Sequence, residues 1–156
     1  MHNPWIVLRM AIVLAAGASG VAQDAPIQIA AAQSRIVIGP VLAVVKSGSK
    51  IEVLVKETFL TSGSEGMTVG EPPHYTVEVR AVDGKMAPET RLGKELNEGP
   101  IKVTTNVLFD VKAGVTWKNK VFPSELYDMS QPGKYLIQVT RRSVKSNTIT
   151  VTVVPF

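Results

Sequence analysis

The chain has 156 residues, 45% of them hydrophobic, no cysteine, and 17 basic against 13 acidic residues for a formal net charge of +4. That length suits one domain burying roughly two thirds of its unfolded surface. The missing cysteine excludes disulfides, a lipid-bearing cleavage-site Cys, a blue-copper site and a thiolate zinc site. The basic excess is mild and spread along the chain, far from the dense Lys/Arg stripe of nucleic-acid binders, so no nucleic-acid partner is expected.

Residues 1–22 read as a secretory leader. Arg9 supplies the basic flank, Met10–Ala18 the short apolar run, and Gly20-Val21-Ala22 the small residues a signal peptidase reads, with Ala16-Gly17-Ala18 as an alternative cut. The stretch from Trp5 to Ala22 could just span a bilayer as a retained anchor, but Arg9 interrupts it and Gly17–Gly20 dilutes it. The expectation is a secreted or periplasmic protein with no stable membrane insertion after cleavage. Residues 23–34 are small and Ala-rich and read as a tether or a first short strand.

Residues 35–156 carry recurring strand signals. Ile36–Val45 is apolar on both faces and broken by Gly39-Pro40, as in an edge strand that passes from one sheet to another at the proline. Ile51, Val53, Val55 and Phe59 face one way, and Tyr75, Val77, Val79 and Ala81 form the next alternating run. Asp83-Gly84 follows as a tight turn that favours positive φ. Ile101, Val103, Thr105, Val107 and Phe109 alternate in turn, and Lys112-Ala113-Gly114 ends that run. Val115–Phe122 places Trp117 and Phe122 on opposite faces, which predicts a bulge or an outward aromatic.

Pro132-Gly133-Lys134-Tyr135 opens a strand with Tyr135, Ile137 and Val139 inward, and Ser146–Val153 completes a closing hairpin. Seven short strands with no helical period after Ala22 predict an all-β protein, an immunoglobulin-like antiparallel β-sandwich of the disulfide-free kind.

The segment Leu126–Tyr135 followed by Lys145–Val151 resembles the end of uncharacterised secreted bacterial proteins with an immunoglobulin-like fold. More distantly it is similar to the bacterial intracellular proteinase inhibitor family, where a Pro-Gly-x-Tyr entry leads into the penultimate strand. The likeness covers the last third of the chain, and the earlier strands agree only in pattern. Tyr135 sits where such sandwiches place a tyrosine whose hydroxyl bonds backbone near the sheet corner.

Chemistry-bearing clusters are sparse. His74, behind Glu71-Pro72-Pro73, has no nucleophile or orienting carboxylate at local spacing and reads as a surface residue at a strand start. Asp83, Asp110 and Asp128 lie at strand ends where calcium could gather oxygens, but their spacing fits no loop motif and turn formation explains them, so no metal or other cofactor is expected. Trp117, Phe122 and Tyr127 suit either an aromatic platform or the core, with the core favoured for at least two. The terminal Val153-Val154-Pro155-Phe156 resembles an outer-membrane barrel end, but Pro155 and the lack of aromatic girdles argue against one.

With alternating strands, the loop Thr61–Pro73, the turn Lys112–Gly114 and the tip Arg141–Lys145 fall at one end, and Lys85–Pro100 with Ser124–Pro132 at the other. The first end, with Met67 exposed in a Gly-rich loop and Arg141, Arg142 and Lys145 on a positive tip, is the candidate binding site, against the plainer reading of solvated loops. A non-catalytic module for binding a protein or glycan, or for assembly, is the expected function. A proteinase inhibitor acting through exposed loops is the alternative, and an enzyme would have to work with Asp, Glu, Ser and Lys alone.

Overall fold

A computed structural model describes residues 30–68, 74–98 and 106–156. The expected leader, residues 23–29 of the expected tether, and residues 101–105 of the strand expected from Ile101 lie outside the described residues. In chain order the elements are β1 (Ser34–Pro40), β2 (Val44–Lys46), β3 (Val53–Phe59), β4 (Gly63–Thr68), β5 (Thr76–Ala81), α1 (Arg91–Glu98), β6 (Asn106–Val111), β7 (Thr116–Val121), α2 (Pro123–Leu126), β8 (Gly133–Arg141), β9 (Val144–Lys145) and β10 (Ile149–Val154). The protein is all-β in class, as its alternating runs imply.

Strands β1, β3 and β7 form one antiparallel sheet, and β2, β10, β8 and β5 form a second, with β9 attached to β8. Strands β4 and β6 make a separate two-stranded ribbon. Gly39-Pro40 divides the first apolar run as expected, because proline lacks the N–H a central strand must donate. Upstream of it β1 pairs with β3, and downstream β2 runs parallel to β10 in the other sheet. Inward residues of both larger sheets then share one apolar cluster, with Ile36, Ile38, Val53 and Val55 from the first and Val77, Val79, Ile137, Val139, Val151 and Val153 from the second. Each such side chain contributes about 1.5–3 kcal/mol on burial, so this two-sided cluster carries the fold without disulfide support.

Two expectations are corrected. Residues 63–68 of the stretch read as the Gly-rich loop Thr61–Pro73 are strand, and Gly63 serves close approach: a Cβ there would lie 2.5 Å from the Ala30 carbonyl oxygen. Residues 30–33, the described start of the stretch read as a tether or first short strand, run beside Gly63. Ala31 bridges Ser64 in parallel, and the Leu60 amide donates to the Gln33 carbonyl at 2.8 Å. Helix α1 interrupts the segment read as a loop, capped where the Thr90 hydroxyl accepts the Gly93 amide at 3.1 Å and held by the Thr90 amide on the Leu126 carbonyl. Its apolar Leu92 and Leu96, spaced i,i+4, are too few to register as a helical period.

The predicted bulge near Trp117 is also absent, because β7 stops at Val121 and Phe122 turns into α2 beneath the Lys50 ammonium, 3.7 Å from the ring centroid. Gly84 has the positive φ, 85°, that the Asp83-Gly84 turn implied. The Tyr135 hydroxyl donates to the Gln131 carbonyl at 2.9 Å, the expected corner bond. No helix among the described residues is long and apolar enough to cross a membrane.

Side chains and short backbone segments close two sheet edges. The Asn147 amide group occupies the outer edge of β1, accepting from the Ile38 amide at 2.8 Å and donating to the Ile38 carbonyl at 3.0 Å. On β5, the Tyr127 hydroxyl donates to the Val77 carbonyl and the Ala87 amide to the Val79 carbonyl. Covered edges of this kind suppress strand addition by other chains. Replacing Asn147→Ala strips both edge bonds at once, and the expected loss is about 1–3 kcal/mol, read as a lower urea midpoint at unchanged slope; an unaltered midpoint would remove the edge-closing role.

Candidate functional site

The alternation that builds the core also carries charge inward. Tyr135, Ile137 and Val139 face the interior of β8, and two residues on, Arg141 takes the same parity; Glu57 does so among Val53, Val55 and Phe59 of β3. Opposite charges on inward positions must be paired to be tolerated. The structure brings them together across 84 residues of sequence: the Arg141 Nη1 donates to Glu57 Oε1 at 3.0 Å, and its Nη2 donates to Glu65 Oε2 at 2.9 Å. Glu57 and Glu65 are each 1% exposed and Arg141 is 8% exposed.

The remaining lone pairs are also used. Glu57 accepts the Ser34 hydroxyl at 2.7 Å and the Tyr75 hydroxyl at 3.0 Å, and Glu65 accepts Arg142 Nη1 at 3.0 Å. The Asn119 amide donates in turn to the Tyr75 oxygen at 3.3 Å. The Trp117 ring, edge-on to Phe59 at 4.6 Å, lies 5.4 Å from the Arg141 guanidinium carbon. No buried side-chain polar atom among the described residues lacks a partner. Burial, reinforced by the neighbouring Glu57 carboxylate, pushes the Tyr75 hydroxyl well above its ordinary pKa, so it stays a neutral donor.

A cleft of about 390 Å³ opens beside this cluster, walled by Ala31–Ser34, Leu60 and the β8–β9 tip at Arg142–Val144. Two contacts join described parts of the segments expected at this end. Ser62 accepts the Ala113 amide at 3.1 Å, and the tip reaches β4 through Arg142 and Glu65. Its electrostatics differ from the expectation. Arg141 is no exposed tip charge, and Arg142, in a left-handed turn at φ 55°, is held by Glu65, so two guanidiniums and two carboxylates neutralise one another. Lys145 is exposed in β9, while Met67 belongs to strand β4 opposite Val107 and not to a loop.

Other candidates resolve simply. The Lys85 amide holds the Asp83 carboxyl below its ordinary pKa, the Ser130 hydroxyl and amide do the same for Asp128, and Asp110 accepts the Ser64 hydroxyl. No group of three or more metal-ligating side chains occurs among the described residues. His74 is exposed, Tyr127 is buried in the apolar cluster, and Trp117 packs on Phe59 and Phe109, so these rings form no common platform.

No family model and no curated protein matches the sequence. Among solved structures the chain is similar to a β-glucosidase from Erythrobacter marinus, at 11% identity and a TM-score of 0.44, over 79% of this chain and 16% of that one. The chain thus spans a small part of that protein's length, and a likeness of this degree carries no argument about activity.

Two outcomes test the charged cluster. Arg141→Met strands two buried carboxylates and is expected to cost about 3–5 kcal/mol, with Arg141→Lys recovering little because an ammonium cannot bridge both acids; equal stability in a denaturant melt would remove the junction. For Tyr75, the unfolded hydroxyl ionises above pH ~10 while the folded one keeps its proton, so stability falls as pH rises beyond that point. Tyr75→Phe should show a shallower alkaline decline than wild type, and parallel declines would contradict the assignment.

Proposed function

We propose that the chain is a non-catalytic, extracytoplasmic immunoglobulin-like module that binds a protein or glycan or serves as an assembly part. The observation that carries this reading is the commitment of the charged groups at the loop-rich end to one another. General acid–base work needs a titratable group free to exchange a proton at a substrate. Glu57, Glu65, Arg141 and Arg142 instead spend their hydrogen bonds on joining strands. The strand order supports the immunoglobulin-like part of the reading, with a first strand divided between two sheets and its second half parallel to the last strand. The leader-like N-terminus supports export.

The proteinase-inhibitor alternative rests on the family resemblance and on exposed loops that could enter an active-site cleft. Residues 63–68, within one of those loops, are tied into the ribbon with β6, which disfavours their entry into a cleft. Exported protein analysed by mass spectrometry is expected to begin near Gln23, and the mature chain in molar excess should leave serine, cysteine and metalloproteinases fully active. A full-length product retained in the cytoplasm would overturn the export half of the proposal, and stoichiometric inhibition of any proteinase would replace the module with the inhibitor.

A further inference from the structure

The outer face of the β1–β3–β7 sheet gathers four basic side chains on one surface. Register puts Lys56 directly opposite Lys118, with Arg35 and Lys120 as its diagonal neighbours on β1 and β7. All four are exposed. Directly opposite residues hold their Cβ atoms about 4.5–5.5 Å apart and diagonal ones about 7–8 Å, so the cations form a slanted stripe across three strands. Glu52 pairs with Lys120 at 2.6 Å, and among the described residues no carboxylate forms an ion pair with Arg35, Lys56 or Lys118. Like charges directly opposite one another destabilise a sheet. The fold tolerates that repulsion at Lys56 and Lys118, and an anion laid along the stripe would relieve it.

We infer that this face binds a linear acidic polysaccharide bearing carboxylate or sulfate groups along its length, an inference that rests on the binding-module reading. The cations are strung out across the strands and do not converge, which suits a chain with repeated charges better than a single phosphate. Their neighbours on the face are Val37, Leu54 and the hydrogen-bonded hydroxyls of Thr58 and Thr116, with no aromatic ring for stacking a neutral sugar. A twisted sheet meets a flat bilayer at few points, whereas a flexible chain follows the twist. An added peptide strand would dock through backbone groups at a sheet edge and leave the cations on the face unmatched.

The test measures binding of the mature protein to immobilised polygalacturonate and dextran sulfate, with neutral dextran, anionic phospholipid vesicles and single-stranded DNA in parallel. Both acidic polysaccharides should bind and be released by salt, and neutral dextran should not bind. The variant Arg35→Ser/Lys56→Ser/Lys118→Ser is expected to lose about tenfold or more in affinity, while Lys46→Ser/Lys94→Ser/Lys134→Ser, equal in charge but elsewhere, changes less than about twofold. Melting of the first variant should be at or above that of wild type, since it removes the Lys56/Lys118 repulsion. Should it nevertheless fold poorly, Lys118→Glu, which sets an acid opposite Lys56, must weaken polysaccharide binding in a stable protein. Equal losses in both triple variants, equal binding of vesicles or DNA, or no polysaccharide binding each overturn the inference. Proteinase inhibition, assayed on the same samples, would instead overturn the module reading beneath it.

Discussion

The guanidinium of Arg141 is the point on which all three sheets meet. It extends from β8 of the second sheet, grips Glu57 of the first and Glu65 of the ribbon, and does so with both acids almost wholly out of water. Desolvating such ions costs several kcal/mol each, and the cost is offset only where geometry and the remaining hydrogen bonds are both complete. Ser34, Tyr75 and Arg142 complete them. An isolated two-stranded ribbon is marginal in water, so β4 and β6 owe their position to this junction and to residues 30–33, which lie across Gly63 where a side chain would collide. The junction contributes more to which arrangement forms than to how stable it is, because apolar residues of similar shape would fill the space at no loss.

Asn147 on β1 and Tyr127 on β5 act on the same problem from outside. A strand with unpaired amides and carbonyls recruits other chains. Here one amide side chain, one phenol and the backbone of Lys85–Ala87 occupy those groups. Recognition is thereby displaced from the closed edges to loops and open faces. At the loop-rich end the charges cancel, and the open β1–β3–β7 face keeps its own.

The alternating runs made β3, β5, β8 and β10 legible in the sequence, since an inward apolar and outward polar period of two has few other readings. The chain switch at Gly39-Pro40 and the Tyr135 corner were legible for equally local reasons, a missing donor and a fixed turn. The ribbon was hidden because Gly63 and Gly66 look like loop residues, and nothing local shows that Ala30 passes close beside Gly63. Helix α1 was hidden because two leucines and a threonine cap are too little signal against an all-β background. Arg141 was misplaced on a solvated tip by the ordinary expectation for arginine. Its parity with Val139, and that of Glu57 with Val55, contained the correction, but the partners are 84 residues apart and no local rule joins them.

The same comparison locates what substitutions can separate. Glu57 and Arg141 lie on inward positions, where a lost charge leaves its partner stranded in the interior, so changes there register as stability before anything else. Lys56 and Lys118 are the outward residues adjoining Glu57 and its cross-strand partner Trp117. One step along the strand moves a charge from the core to solvent, and from a role in folding to one in encounter with other molecules. Because a one-residue slip of β3 would exchange its faces, the buried Glu57–Arg141 pair that holds one face of β3 inward also fixes which of its charges the surface presents.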